Sequence, residues 1–276
     1  SMAKNTDRDH PLVSKGRDHR REWFDEVSVE KACLKSFDGL KLSALLIENP
    51  LALNRFAIVC HGYTGNPYEM AFESEHFYNK GFSLLIPAAR GHGDSEGDYI
   101  GFGWYERKDI LGWINQLNEK FNCPEIVLYG VSMGGATVMM TAGEDLPDNV
   151  RCGIEDCGFS SIHDEFYHTL VRMVKVRLPI ILFFANIIIH AKTGINIYKD
   201  GSALNQLEKS HLPMLFLHGT ADNYVPFYML QKNYDAHPGP KQKLAFEGVP
   251  HASAPWDGGD LYWDTVFNFT DNYLSL

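Results

Sequence analysis

The sequence is poor in the features that mark several large protein classes. No CxxC pair and no HExxH or HxxxH spacing occurs, so the common zinc signatures are missing. No GxGxxG follows a predicted strand, which removes the dinucleotide fingerprint. The longest apolar stretch, Leu178–Ile189, is twelve residues, too short to span a bilayer and so not a stable membrane insertion. No signal peptide is present. The opening Ser1-Met2-Ala3 reads as a cloning remnant. Basic residues cluster only from Lys15 to Arg21, and the net charge is -10, which argues against nucleic acid as a partner. The five cysteines (Cys33, Cys60, Cys123, Cys152 and Cys157) form an odd set. They read as reduced thiols in a cytoplasmic protein, with Cys60 buried in the apolar run Phe56–Cys60. The alternative location is a membrane tether through a native segment preceding Ser1. No repeat or low-complexity tract is visible.

What is present fits one large domain. The 276 residues are 45% hydrophobic and 22% charged, an ordinary soluble composition with enough length for a substantial core. Short β-type runs alternate with helical patterns. Val29–Leu34 and Leu42–Ile47 flank a turn at Phe37-Asp38-Gly39 and read as a hairpin. Predicted strands follow at Phe56–Cys60, Ser83–Pro87, Ile126–Tyr129, Gly153–Glu155, Met214–Leu217 and Lys243–Phe246. Between them lie predicted helices at Pro67–Lys80, Trp104–Phe121, Met133–Gly143 and Phe227–Ala236, and Leu261–Leu274 closes the chain. Such alternation predicts an α/β fold with a mostly parallel, eight-stranded sheet and helices on both faces. The gap between Glu155 and Met214 is far longer than a crossover needs. Residues 160–205 therefore read as an inserted helical lid, with added core packing as the plainer alternative. The predicted organisation is an N-terminal arm (1–27), a first core part (28–159), the insertion, and a second core part (206–276).

Gly130-Val131-Ser132-Met133-Gly134 matches G-x-S-x-G. Alone the pattern is weak, since roughly one chain in ten of this length carries it by chance. Its setting is specific: it directly follows a predicted strand and directly precedes a predicted helix. A serine there sits in a tight turn whose neighbours need to lack side chains, at a helix N-terminus that favours developing negative charge.

On these residues the chain resembles the α/β-hydrolase superfamily. The resemblance extends to His61-Gly62-Tyr63, to Arg90-Gly91-His92-Gly93-Asp94-Ser95, and to His218-Gly219-Thr220-Ala221-Asp222 followed by Val225-Pro226. It covers about residues 28–274 and is nearest to the bacterial esterase and serine-aminopeptidase-like group. It implies Ser132 as nucleophile. His251, in a short loop after a predicted strand, is the expected base, ahead of His61, His92, His163, His168, His190 and His218. Asp222 is the expected acid, with Asp156 as the rival. The backbone amides of Tyr63 and Met133 are expected to form the oxyanion hole, and the Arg90–Ser95 loop is read as structural. No metal or cofactor is expected. The partner implied is a small-molecule ester with a hydrophobic or arylalkyl acyl group, feruloyl-type esters among them. A serine peptidase is the alternative, followed by a thioesterase, a cofactor-free haloperoxidase or a non-catalytic binding protein on the same fold.

Overall fold

In the computed structural model the described residues are 21–175 and 179–275. Eight strands run β1 (Glu30–Lys35), β2 (Lys41–Ile47), β3 (Arg55–Cys60), β4 (Ser83–Pro87), β5 (Glu125–Val131), β6 (Val150–Asp156), β7 (Met214–Gly219) and β8 (Lys241–Phe246). They form one sheet in the order β1-β2-β4-β3-β5-β6-β7-β8. The pairs β1–β2 and β2–β4 are antiparallel, and every pair from β4 to β8 is parallel.

Both faces of the sheet are covered, and the side-chain period of two divides each strand between two cores. Phe56, Ile58, Ile126, Leu128, Met214 and Phe216 enter one cluster. Ala57, Val59, Val127, Tyr129, Leu215 and Leu217 enter the other. The first cluster is closed by helices α3 (Glu106–Phe121), α4 (Met133–Ala142), α7 (Ala203–Leu207) and α8 (Tyr228–Ala236). The second is closed by α1 (Trp23–Glu26), α2 (Ala71–Asn79), α9 (Ala254–Asp257) and α10 (Gly259–Asp271). In α3 the buried Ile110, Trp113, Ile114 and Leu117 recur at helical spacing, which is why that segment docks along one stripe.

Several predicted boundaries move. Trp104 and Tyr105 fall outside α3, because Phe102 and Gly103 take positive φ and turn the chain. The Glu106 carboxylate accepts from the amides of Gly101 (2.8 Å) and Gly103 (2.9 Å) and ties that turn to the helix. Pro67–Met70 is a 3₁₀ turn capped by the Asn66 side chain, and α2 begins only at Ala71. The last helix ends at Asp271. Most of the predicted arm lies outside the described residues, but Trp23 and Phe24 are buried in the second core.

Two helices fill the long gap after β6: α5 (Ile162–Val174) and α6 (Pro179–Thr193). The Ser161 side chain caps α5 by accepting from Asp164 N (3.0 Å). The predicted insertion boundary at 205 falls inside α7, whose Ala203 and Leu207 are buried in the first core.

Candidate active site

Parallel strands order the site. The loops following β3, β5, β7 and β8 all leave the sheet at its C-terminal edge, where open α/β sheets bind ligands. Ser132 sits immediately after β5 and immediately before α4, with φ 58° and ψ -117°. A non-glycine residue with that backbone costs of order 1–3 kcal/mol and persists only where its surroundings enforce it. Here the packing does so. A Cβ on Gly130 would lie 2.2 Å from the Gly134 carbonyl oxygen, and one on Gly134 would lie 2.1 Å from that of Cys60. Only glycine permits this approach of strand, helix and neighbouring strand. The Ser132 amide also donates to the Asp156 carbonyl (2.8 Å).

The Ser132 hydroxyl lies 2.9 Å from His251 Nε2, and His251 Nδ1 lies 2.6 Å from Asp222 Oδ2. Three separate loops thus meet in one hydrogen-bonded line. Asp222 is 6% exposed. Its Oδ1 accepts from the amides of Tyr224 (2.8 Å) and Val225 (2.9 Å), and its Oδ2 also lies 3.2 Å from His218 Nε2. Burial alone raises its carboxyl, but the bonds from His218 and His251 outweigh this and lower its pKa to about 2. The carboxylate is therefore ionised at neutral pH.

The structure does not bring the rival acid, Asp156, to His251. Its Oδ2 accepts from the Tyr262 hydroxyl (2.9 Å), which in turn meets that of Tyr129 (2.8 Å). Burial pushes the Asp156 pKa up to about 6.

The loop after β3 comes against Ser132, since a Cβ on Gly62 would lie 3.5 Å from the Ser132 Cβ. Among the described residues, the amides of Tyr63 and Met133 have no protein acceptor. Met133 is the first residue of α4, where an amide is an orphan by construction. Two histidines brace this loop. His61 Nδ1 donates to the Gly62 carbonyl (2.8 Å) while its Nε2 accepts from Ala89 N (3.1 Å). His92 Nδ1 donates to the Arg90 carbonyl (3.1 Å) while its Nε2 accepts from Thr64 N (3.2 Å). Both rings need to be neutral to accept. Burial, aided by His92, lowers the His61 pKa to about 3. Arg90 is buried and anchors its loop to Asp109 (2.7 and 2.9 Å) and Asp38 (2.8 Å).

An aromatic wall borders the site. Tyr63 stacks on Phe102 (5.2 Å), which meets Phe166 of α5 edge-on (4.9 Å). Tyr224 lies 5.0 Å from the His251 ring. Sequence reasoning weighs His218 only as a rival base and passes over Glu165. His218 precedes Asp222 by one four-residue step, a spacing that could have flagged it. Glu165 is the last acid before a long acid-free stretch of α5 and α6. Its Oε1 accepts from Thr169 Oγ1 (3.2 Å), while Oε2 is buried with no partner among the described residues. Burial, reinforced by the charge of Asp222, raises its pKa to about 7.

Cys157, Asp222 and His251 offer ligand atoms within 4.8 Å of one another, a grouping the sequence did not suggest. Burial raises the Cys157 thiol well above its ordinary range, and a protonated thiol is a poor metal ligand. Asp222 and His251 are already bonded to each other.

This sheet order and strand–serine–helix turn are those of the α/β-hydrolase fold. A family model described as the alpha/beta hydrolase fold matches residues 58–178. The chain is 29% identical to the uncharacterised protein YqkD of Bacillus subtilis, over 98% of this chain and 89% of that one. In structure it is similar to the Pyrococcus furiosus esterase Pf2001 (TM-score 0.73, 19% identity, covering 92% of this chain and 96% of that one). It is also similar to the Pyrococcus horikoshii acylaminoacyl peptidase (TM-score 0.66, 18% identity, covering 90% of this chain and 42% of that one).

Proposed function

We propose that the protein is a serine carboxylesterase acting on esters with small to medium hydrophobic or arylalkyl acyl groups, feruloyl-type esters included. The observation that carries the proposal is the line Ser132 Oγ–His251 Nε2–Asp222, at 2.9 and 2.6 Å. His251 takes the Ser132 proton as Oγ attacks the ester carbonyl. Asp222 holds the Nδ1–H tautomer and stabilises the imidazolium. The amides of Tyr63 and Met133 receive the oxyanion, each donor contributing about 3 kcal/mol to the transition state. His251 then protonates the leaving alkoxide. Water, deprotonated by His251, releases the acid from the acyl-enzyme and restores Ser132. The wall formed by Tyr63, Phe102 and Phe166 supports a flat, apolar acyl group. Helix α5, which contributes Phe166, and helix α6 serve as the lid of this site.

The test has two arms. A fluorophosphonate should label the folded protein at Ser132 and leave Ser132→Ala unlabelled. An unlabelled folded wild type overturns the proposal. p-Nitrophenyl esters of increasing chain length are then compared with aminoacyl anilides. Turnover is expected with the esters, and turnover confined to the anilides identifies a peptidase instead.

A further inference from the structure

Helix α6 is inverted relative to a normal surface helix. Its sequence, PIILFFANIIIHAKT, buries only Leu182. Ile180, Ile181, Phe183, Phe184, Ile187 and Ile188 are between 40% and 59% exposed, where a surface helix ordinarily carries charge. Met173, near the end of α5, is 75% exposed as well. Contiguous apolar surface of this kind marks a site of interaction.

The charge around it says with what. The chain as a whole is at -10, yet residues 166–199 contain five Lys or Arg and no Asp or Glu. Exposed Lys175 stands before the helix, and exposed His190 and Lys192 sit in its last turn. An apolar middle between basic ends is the pattern of a helix that lies in a lipid headgroup layer. A second copy of this chain is a poor partner, because two such helices packed either way round bring basic ends together. At 15 residues the helix is about 22 Å long. No helix of the described residues is long and apolar enough to cross a membrane, so α6 would lie along the surface.

We propose that the outward face of α6 seats the protein on an anionic lipid surface. The inference stands apart from the chemistry of Ser132 and goes beyond it. The test is co-sedimentation of the full chain with phosphatidylcholine vesicles, with and without phosphatidylglycerol. Binding should be at least about tenfold stronger to the phosphatidylglycerol vesicles and should weaken with salt. The double variant Phe184→Ser/Ile188→Ser should lose at least about tenfold in binding. Lys175→Glu/Lys192→Glu should lose the phosphatidylglycerol preference. Both variants should keep the wild-type circular dichroism and melting profile. Wild type that ignores phosphatidylglycerol vesicles overturns the proposal, as does a serine variant that binds like wild type. Light scattering that shows a dimer abolished by Phe184→Ser/Ile188→Ser, without vesicle binding, assigns the face to a second copy and also overturns it.

Discussion

At Asp222 two opposing effects meet. Burial penalises the charge, while His251 at 2.6 Å and His218 at 3.2 Å reward it, and the donors win. Asp156, fully buried on the next strand with a single tyrosine donor to its Oδ2, shows the reverse outcome and is raised to about 6. The two carboxyls therefore predict different mutational results. Asp222→Asn should lower kcat by about 10⁴-fold, because the amide cannot hold the Nδ1–H tautomer. Asp156→Asn should reduce kcat less than about tenfold, since it leaves the line to His251 untouched. Turnover of a p-nitrophenyl ester by the two purified variants decides this, and the opposite ranking reassigns the acid. The choice between them is half legible in the sequence. Both follow predicted strands at the same sheet edge, and only the loop geometry turns one of them toward His251.

At the scale of elements, the loops after β3 and β4 are held by neutral histidines rather than by regular structure. His61 titrates at about 3 in the folded protein, against an ordinary 6.5. Between those values the unfolded chain binds a proton that the native chain does not. This contribution to stability is therefore intact above 6.5 and is lost as pH falls toward 3. His61→Asn keeps the ring's polar contacts in part and removes the titration. Urea unfolding should show the gap between wild type and His61→Asn narrowing by about 2 kcal/mol between pH 7.5 and pH 5. Glu106 and Glu165, both raised to about 7 by burial, act in the opposite sense but equally in both proteins. A gap that is constant with pH removes His61 from the titrating groups. Neither histidine announces this role in the sequence, where each is weighed only as a rival base. Their partners, Ala89 N and Thr64 N, are 28 residues away.

Over the whole molecule, stability is unevenly distributed. β3, β5 and β7 are buried on both faces, whereas α6 anchors a single buried side chain, Leu182. Hydrogen exchange followed by mass spectrometry should find the β3, β5 and β7 amides opening only with global unfolding. The α6 amides should exchange through local opening, faster by at least about two orders of magnitude. Equal protection in both would mean that the insertion folds with the sheet as one unit.

The sequence by itself determined the sheet-and-helix alternation, because hydrophobic period and Gly punctuation are local properties. It also determined the strand–Ser132–helix turn, because Gly130 and Gly134 stand where no side chain could. The tertiary structure alone decided which carboxylate faces His251, how His61 and His92 brace the loop behind Tyr63, and which side of α6 stays uncovered. Each of these depends on contacts between residues far apart in the chain, whose meeting is set by the packing of the whole sheet and its helices.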